Sequence, residues 1–117
     1  MNLLHLLFGK PVPGLNAAEL NQRLTNGKRP LVVDVRQPDE YRSGHIPGAK
    51  LIPLGELRRR VKELPQNKEI VCVCASGNRS GSAARILVGA GLNAVNAKGG
   101  MFAWRQAGLP VKKGNAA

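Results

Sequence analysis

A chain of 117 residues is long enough for one domain with its own core and too short for two. Eighteen basic against seven acidic side chains give a formal net charge of +11, which attracts anions without choosing among oxyanions, acidic proteins, nucleic acid and anionic lipid. The four aromatic residues, Phe8, Tyr41, Phe102 and Trp104, are scattered with no nucleic-acid motif around them, so a nucleic-acid partner is not expected and Leu, Val, Ile and Ala must fill the core.

The opening MNLLHLLFGK has no basic residue ahead of its apolar run, which is short, broken by His5 and without a small-residue cleavage site. No signal peptide is expected, and the run is too short to span a membrane. Residues 1–14 are expected to form an N-terminal apolar segment, a capping helix or a frayed end, with docking on a partner or a membrane surface as the alternative. The domain is expected over 15–112 and a tail over 113–117. Asn16 supplies an N-cap oxygen, Glu19 completes a capping-box pattern, and Leu15 and Leu20 take the staple positions. That helix is expected to stop at Asn26-Gly27, with Gly27 in the left-handed C-terminal position.

LVVDV at 31–35 reads as a buried strand carrying Asp34. Pro38 opens a helical turn through Tyr41, HIPGA at 45–49 is a turn, and LIPL at 51–54 is extended. The stretch 55–64 predicts an amphipathic helix, with Leu54, Leu57, Val61 and Leu64 on its apolar face and Arg58, Arg59, Arg60 and Lys62 covering the rest. EIVCVC at 69–74 is a second buried strand, and SAARILVGAG at 82–91 is a helix ending at Gly91. NAVNA at 93–97 is a short strand, and GGMFAWRQAG at 99–108 a turn and short helix. Strands alternating with helices imply an α/β domain with a mainly parallel sheet, whose ligands bind at the carboxyl ends of the strands. Cys74, Asp34 and Arg36 all fall at such ends.

Cys72 and Cys74 are two residues apart on one face of a strand, a spacing too strained for an ordinary disulfide. Reduced thiols in a cytoplasmic protein are expected instead. Cys72 lies mid-strand and reads as a core residue. Cys74 is at the strand's lip, before CASGNRS at 74–80. The small residues Ala75, Ser76 and Gly77 let successive N–H groups turn inward as a nest for negative charge. A helix beginning near Ser80 adds its partial positive charge, and Arg79 a permanent cation. All three favour a thiolate at Cys74. The same cradle suits a persulfide or, if wider, a tetrahedral oxyanion.

The segments 34–54 (DVRQPDEYRSGHIPGAKLIPL), 74–80 (CASGNRS) and 99–110 (GGMFAWRQAGLP) together resemble the rhodanese-like sulfurtransferase domain over residues 15 to 112. The resemblance implies a three-layer fold, with a small, mainly parallel sheet flanked by helices. It implies a single-domain enzyme that moves a sulfane sulfur from a small anionic donor such as thiosulfate to cyanide or a thiol. Cys74 matches the family's sulfur-carrying cysteine, and Ala75, Ser76, Gly77, Asn78, Arg79 and Ser80 its substrate-binding loop. Four residues separate Cys74 from Arg79, whereas phosphatases and arsenate reductases of this fold have one more, which disfavours phosphate-sized substrates. Many members carry arginine where this chain has Ala75, a departure that weakens the expected grip on thiosulfate.

Asp34 at the end of an apolar strand needs a partner, and Arg36 is the nearest candidate; Glu40 is a second candidate for Arg36. The pair is expected to support the site rather than react. His45 is expected to fix its turn, and Met101 and Trp104 to pack as core or lid. Arg58–Arg60 is a solvated face that could also steer an acidic protein partner. No ligand cluster for a metal and no cofactor motif is present, so neither is expected. A non-catalytic binding or regulatory module is the alternative to an enzyme.

Overall fold

The computed structural model of the chain describes residues 12–117. The expected N-terminal capping helix or docking segment lies, except for its last residues, outside the described residues. Five parallel strands form one sheet: β1 (Gly14–Leu15), β2 (Leu31–Asp34), β3 (Lys50–Leu51), β4 (Ile70–Val73) and β5 (Ala94–Ala97). Their spatial order is β1-β5-β4-β2-β3. β4 is central, with Cys72 in register with Val33 on β2 and with Asn96 on β5. β1 had no sequence signal of its own; it is two residues long and is held by Asn96 N–H to the Pro13 carbonyl at 3.0 Å and Lys98 N–H to the Leu15 carbonyl at 2.8 Å.

The helices are α1 (Ala17–Thr25), α2 (Pro38–Ser43), α3 (Asn78–Gly89) and α4 (Gly100–Gln106). Alternation along the strands divides the core in two. Val32, Val71, Val73, Val95 and Ala97 meet Leu20 and Leu24 of α1, Tyr41 of α2, and Met101 and Trp104 of α4. Val33, Ile70, Cys72, Cys74 and Ala94 meet Ala83, Ala84 and Leu87 of α3, with Leu57 and Leu64. The result is the three-layer α/β architecture expected, with a fully parallel sheet.

The capping box at Asn16 and Glu19 forms as expected, with bonds of 2.8 and 2.9 Å. Three expectations are corrected. Gly27 is not left-handed: α1 leaves through Asn26 in an extended conformation, so glycine has no special role there. The amphipathic helix expected over 55–64 is two 3-10 pieces, Leu54–Glu56 and Arg58–Glu63. Eleven residues between Pro53 and Pro65 are too few to sustain an α-helix unaided, and burying Leu57 and Leu64 against α3 decides the local winding instead. α3 starts at Asn78, earlier than expected, because Gly77 caps it at φ 107°. It ends at Gly89, with left-handed Gly91 (φ 87°) beyond.

Candidate active site

β4 delivers Cys74 to the edge of the central strand, with its side chain on the α3 face and the residue 1% exposed. The chain then turns sharply, reaching left-handed Gly77 before α3 begins. The turn is fixed from outside. Met101 N–H donates to the Cys74 carbonyl at 2.8 Å, and Phe102 N–H to the Ala75 carbonyl at 3.1 Å. Gly100 permits this approach: a Cβ there would overlap the Cys74 carbonyl oxygen and lie 2.6 Å from that of Ala75. With these carbonyls bound by the start of α4, N–H groups of the loop are left to face the sulfur.

Gly77 N–H donates to Cys74 Sγ at 3.1 Å, and Ser80 Oγ lies 3.3 Å from it. Burial pushes the thiol up. The Ser80 hydroxyl and the N–H groups of Ser80, Gly77 and Ser76 outweigh that and bring Cys74 below an ordinary thiol. Cys72, fully buried on the same face, has no such donors; burial, and then the Cys74 charge, push it up to about 12. Both cysteines are free, and their surroundings differ: donors converge on Cys74, while Cys72 is buried in the core.

The structure does not place Arg79 as a free cation facing the sulfur. Its Nη1 and Nη2 donate to the two carboxylate oxygens of Glu40 at 2.8 and 2.9 Å. The Arg79 hydrogen bond is the main cause that holds Glu40 at about 2. Glu40 therefore does not serve Arg36. Arg36 grips Asp34 through Nε (2.9 Å) and Nη2 (2.8 Å), and its Nη2 also donates to the Gly44 carbonyl at 2.8 Å. Both members of that pair are buried, and their hydrogen bonds go to each other and to α2's end rather than to the loop. Within the loop, Ser76 and Asn78 are exposed, Ala75, Gly77 and Arg79 half-buried, and Ser80 buried.

His45 is buried and stacked on Tyr41, with ring centroids 3.6 Å apart. Its nitrogens face the carbonyls of Tyr41 and Ala116, each at 2.8 Å, so it fixes its turn as expected. Met101 and Trp104 are buried core residues. Two site neighbours were not anticipated. Asn96 on β5 sits against Ser80 and Gly77. Phe102 is 68% exposed beside the loop that its N–H holds. Asn96 carried a faint signal, a polar residue inside a short buried strand. Among the described residues no group of three or more His, Cys, Asp or Glu could hold a metal, and no helix is long and apolar enough to cross a membrane.

Known proteins resemble the chain over most of its length. A sulfurtransferase of Allochromatium vinosum is 37% identical over 98 residues, which cover 83% of this chain and 92% of that protein. An HTH-type transcriptional regulator of Mycobacterium tuberculosis is 41% identical over 110 residues, covering 92% of this chain; the chain spans 48% of that relative's length. The crystal structure of a rhodanese-related protein from Thermoplasma volcanium superposes with a TM-score of 0.80 at 39% identity, covering 86% of this chain and 97% of that one. The family model for the rhodanese-like domain matches residues 16–107, from the cap of α1 to the end of α4, and the chain belongs to that family.

Proposed function

We propose that this protein is a sulfurtransferase that carries a sulfane sulfur on Cys74. The observation that supports this most is the convergence of Gly77 N–H and the Ser80 hydroxyl on a cysteine otherwise buried. In the first half-reaction the Cys74 thiolate attacks the outer sulfur of a donor such as thiosulfate. The new S–S bond forms as the old one breaks, and the electron pair leaves with sulfite. In the second, cyanide or a thiolate attacks the outer sulfur of the persulfide, and Cys74 departs as the thiolate. Neither step needs a base to act on a nucleophile that reacts as its anion. The N–H groups of Ser76, Gly77 and Ser80 stabilise the anionic sulfur in both halves, as an oxyanion hole would an oxygen.

The donor class follows from the mouth. Arg79 is neutralised by Glu40, and Ala75 brings no charge. An anionic donor is then held by backbone N–H groups and the start of α3, so thiosulfate serves as a substrate without being the favoured one. Free thiols fit a reducing compartment, and the cytoplasm is the location we propose.

The likeness to a transcriptional regulator supports a second reading, in which the loop is a sulfur-sensing or partner-binding module of a larger protein. Turnover separates the two. Thiocyanate formation from thiosulfate and cyanide should continue through many cycles in the wild type and in Cys72→Ser, and fall by about 10³-fold or more in Cys74→Ser. Activity retained in Cys74→Ser would remove the proposal. A single loading without turnover would favour the module.

A further inference from the structure

Ser80 is fully buried and carries one hydroxyl proton, yet its Oγ faces two acceptors. Cys74 Sγ lies at 3.3 Å and Asn96 Oδ1 at 2.6 Å. Asn96 is held in this orientation by its other end, since Nδ2 donates to the Gly77 carbonyl at 3.2 Å. Turned over, the amide would press its oxygen on that carbonyl, so the oxygen belongs toward Ser80. We propose that Asn96 is a positioning residue that competes with Cys74 for the single Ser80 proton and so biases the site toward its protonated and sulfur-loaded states.

The single Ser80 proton has a different acceptor in each state of Cys74. With Cys74 as a thiol, Sγ–H donates to Ser80 Oγ and Ser80 donates to Asn96, so every donor has an acceptor. With Cys74 as a thiolate, Ser80 turns its proton to the sulfur and Asn96 Oδ1 loses its donor. Once a sulfur is loaded, the charge moves to the outer atom, the inner Sγ becomes a neutral disulfide-type sulfur, and the proton returns to Asn96. Asn96 thus opposes the free thiolate and favours the persulfide; the second half of this statement rests on the sulfur-transfer reading, the first does not. Among the described residues the ionisable groups around Cys74 are Cys72 on β4, Arg79 on α3 with its partner Glu40 from α2, and the Asp34–Arg36 pair at the end of β2. Lys98, after β5, packs over Gly14 at the far edge of the sheet. None of these groups is altered in the test.

The test is the pH dependence of iodoacetamide alkylation of Cys74 in wild type, Asn96→Leu, Asn96→Asp, Ser80→Ala and the Asn96→Leu/Ser80→Ala double variant. Asn96→Leu should lower the midpoint by about half to one pH unit, because Ser80 is freed for the thiolate. Asn96→Asp should raise it, since a carboxylate holds the Ser80 proton harder. In the Ser80→Ala background Asn96→Leu should leave the midpoint unmoved. A residue that only braced the loop would give Asn96→Leu the same shift with or without Ser80, or no lowering at all, and either result overturns the proposal. Should Asn96→Leu fail to fold, Asn96→Ala, which removes the acceptor without adding a charge, decides by the sign of its shift and by whether that shift survives in Ser80→Ala. In a second arm, the persulfide fraction at a fixed thiosulfate-to-sulfite ratio should fall roughly three- to tenfold in Asn96→Leu. An unchanged fraction contradicts the loaded-state half. If wild type takes up no sulfur, the sulfur-transfer reading fails, and the alkylation arm still decides the competition for the proton.

Discussion

Glu40 sets the charge at the mouth of the site, and its behaviour with pH is specific. Its folded-state pKa is depressed to about 2 by Arg79, so the ion pair's contribution is fully present above the ordinary carboxylate value of roughly 4.3 and is lost as pH falls from there through about 2. Glu40→Gln should flatten that acid dependence of stability, read by urea titration at successive pH values. The same change leaves Arg79 without its Glu40 partner beside the 74–80 loop and should lower the KM for thiosulfate roughly two- to fivefold, within the range of a single partly exposed charge pair. An unchanged KM would contradict the idea that Glu40 screens the mouth. At this scale the sequence was informative about residues with one local option. Cys74 stood out because a thiol preceded a small-residue turn, and Asp34 found Arg36 because the two are neighbours in the chain. Glu40 was misassigned because its partner is 39 positions away and arrives only when α2 and α3 pack beside one loop. Asn96 was missed for the same reason, since its role exists only once β5 lies against Ser80 and Gly77.

Among elements, the active loop depends on the start of α4 as much as on its own residues. Gly100, at φ 55°, places backbone where any side chain would overlap Cys74 and Ala75. Gly100→Ala should therefore destabilise the fold by about 2–4 kcal/mol and impair sulfur loading in the molecules that remain folded. Gly27 has open space around it and no left-handed backbone, so Gly27→Ala should change stability by about 0.5 kcal/mol or less. Equal effects at the two positions, measured by denaturant midpoint, would refute this contrast. α1 was legible because its cap is written in two side chains, Asn16 and Glu19. The 55–64 stretch was not, because its apolar spacing suits an α-helix while its length and the burial of Leu57 and Leu64 select tighter turns. β1 escaped notice because a two-residue strand has no periodicity to show, and only pairing with β5 creates it.

At the scale of the whole molecule, the parallel sheet followed from alternating strand and helix signals, but the order β1-β5-β4-β2-β3 did not. Strand order is a long-range choice, settled by which apolar faces cover one another. Charge acts at this scale too. Among the described residues five of the seven acidic side chains make salt bridges, Glu19 caps α1 and Asp39 has no salt bridge, so the basic side chains far outnumber the acidic ones that pair with them. The loading rate by an anionic donor should accordingly fall severalfold as ionic strength rises from about 0.01 M to about 0.5 M, where the screening length shrinks from roughly 30 Å to a few ångströms. A neutral alkylating agent at the same cysteine should show little of this dependence. A rate with thiosulfate that is flat in salt would mean that the global charge does not reach the site.

The most direct test of the sulfur-carrying role of Cys74 is the intact mass of the protein after incubation with thiosulfate, before and after cyanide. A gain of one sulfur atom, about 32 Da, that cyanide removes, that persists in Cys72→Ser and that is absent in Cys74→Ser is the predicted result. An adduct that survives in Cys74→Ser, or no adduct from thiosulfate and other sulfane donors, would contradict the account.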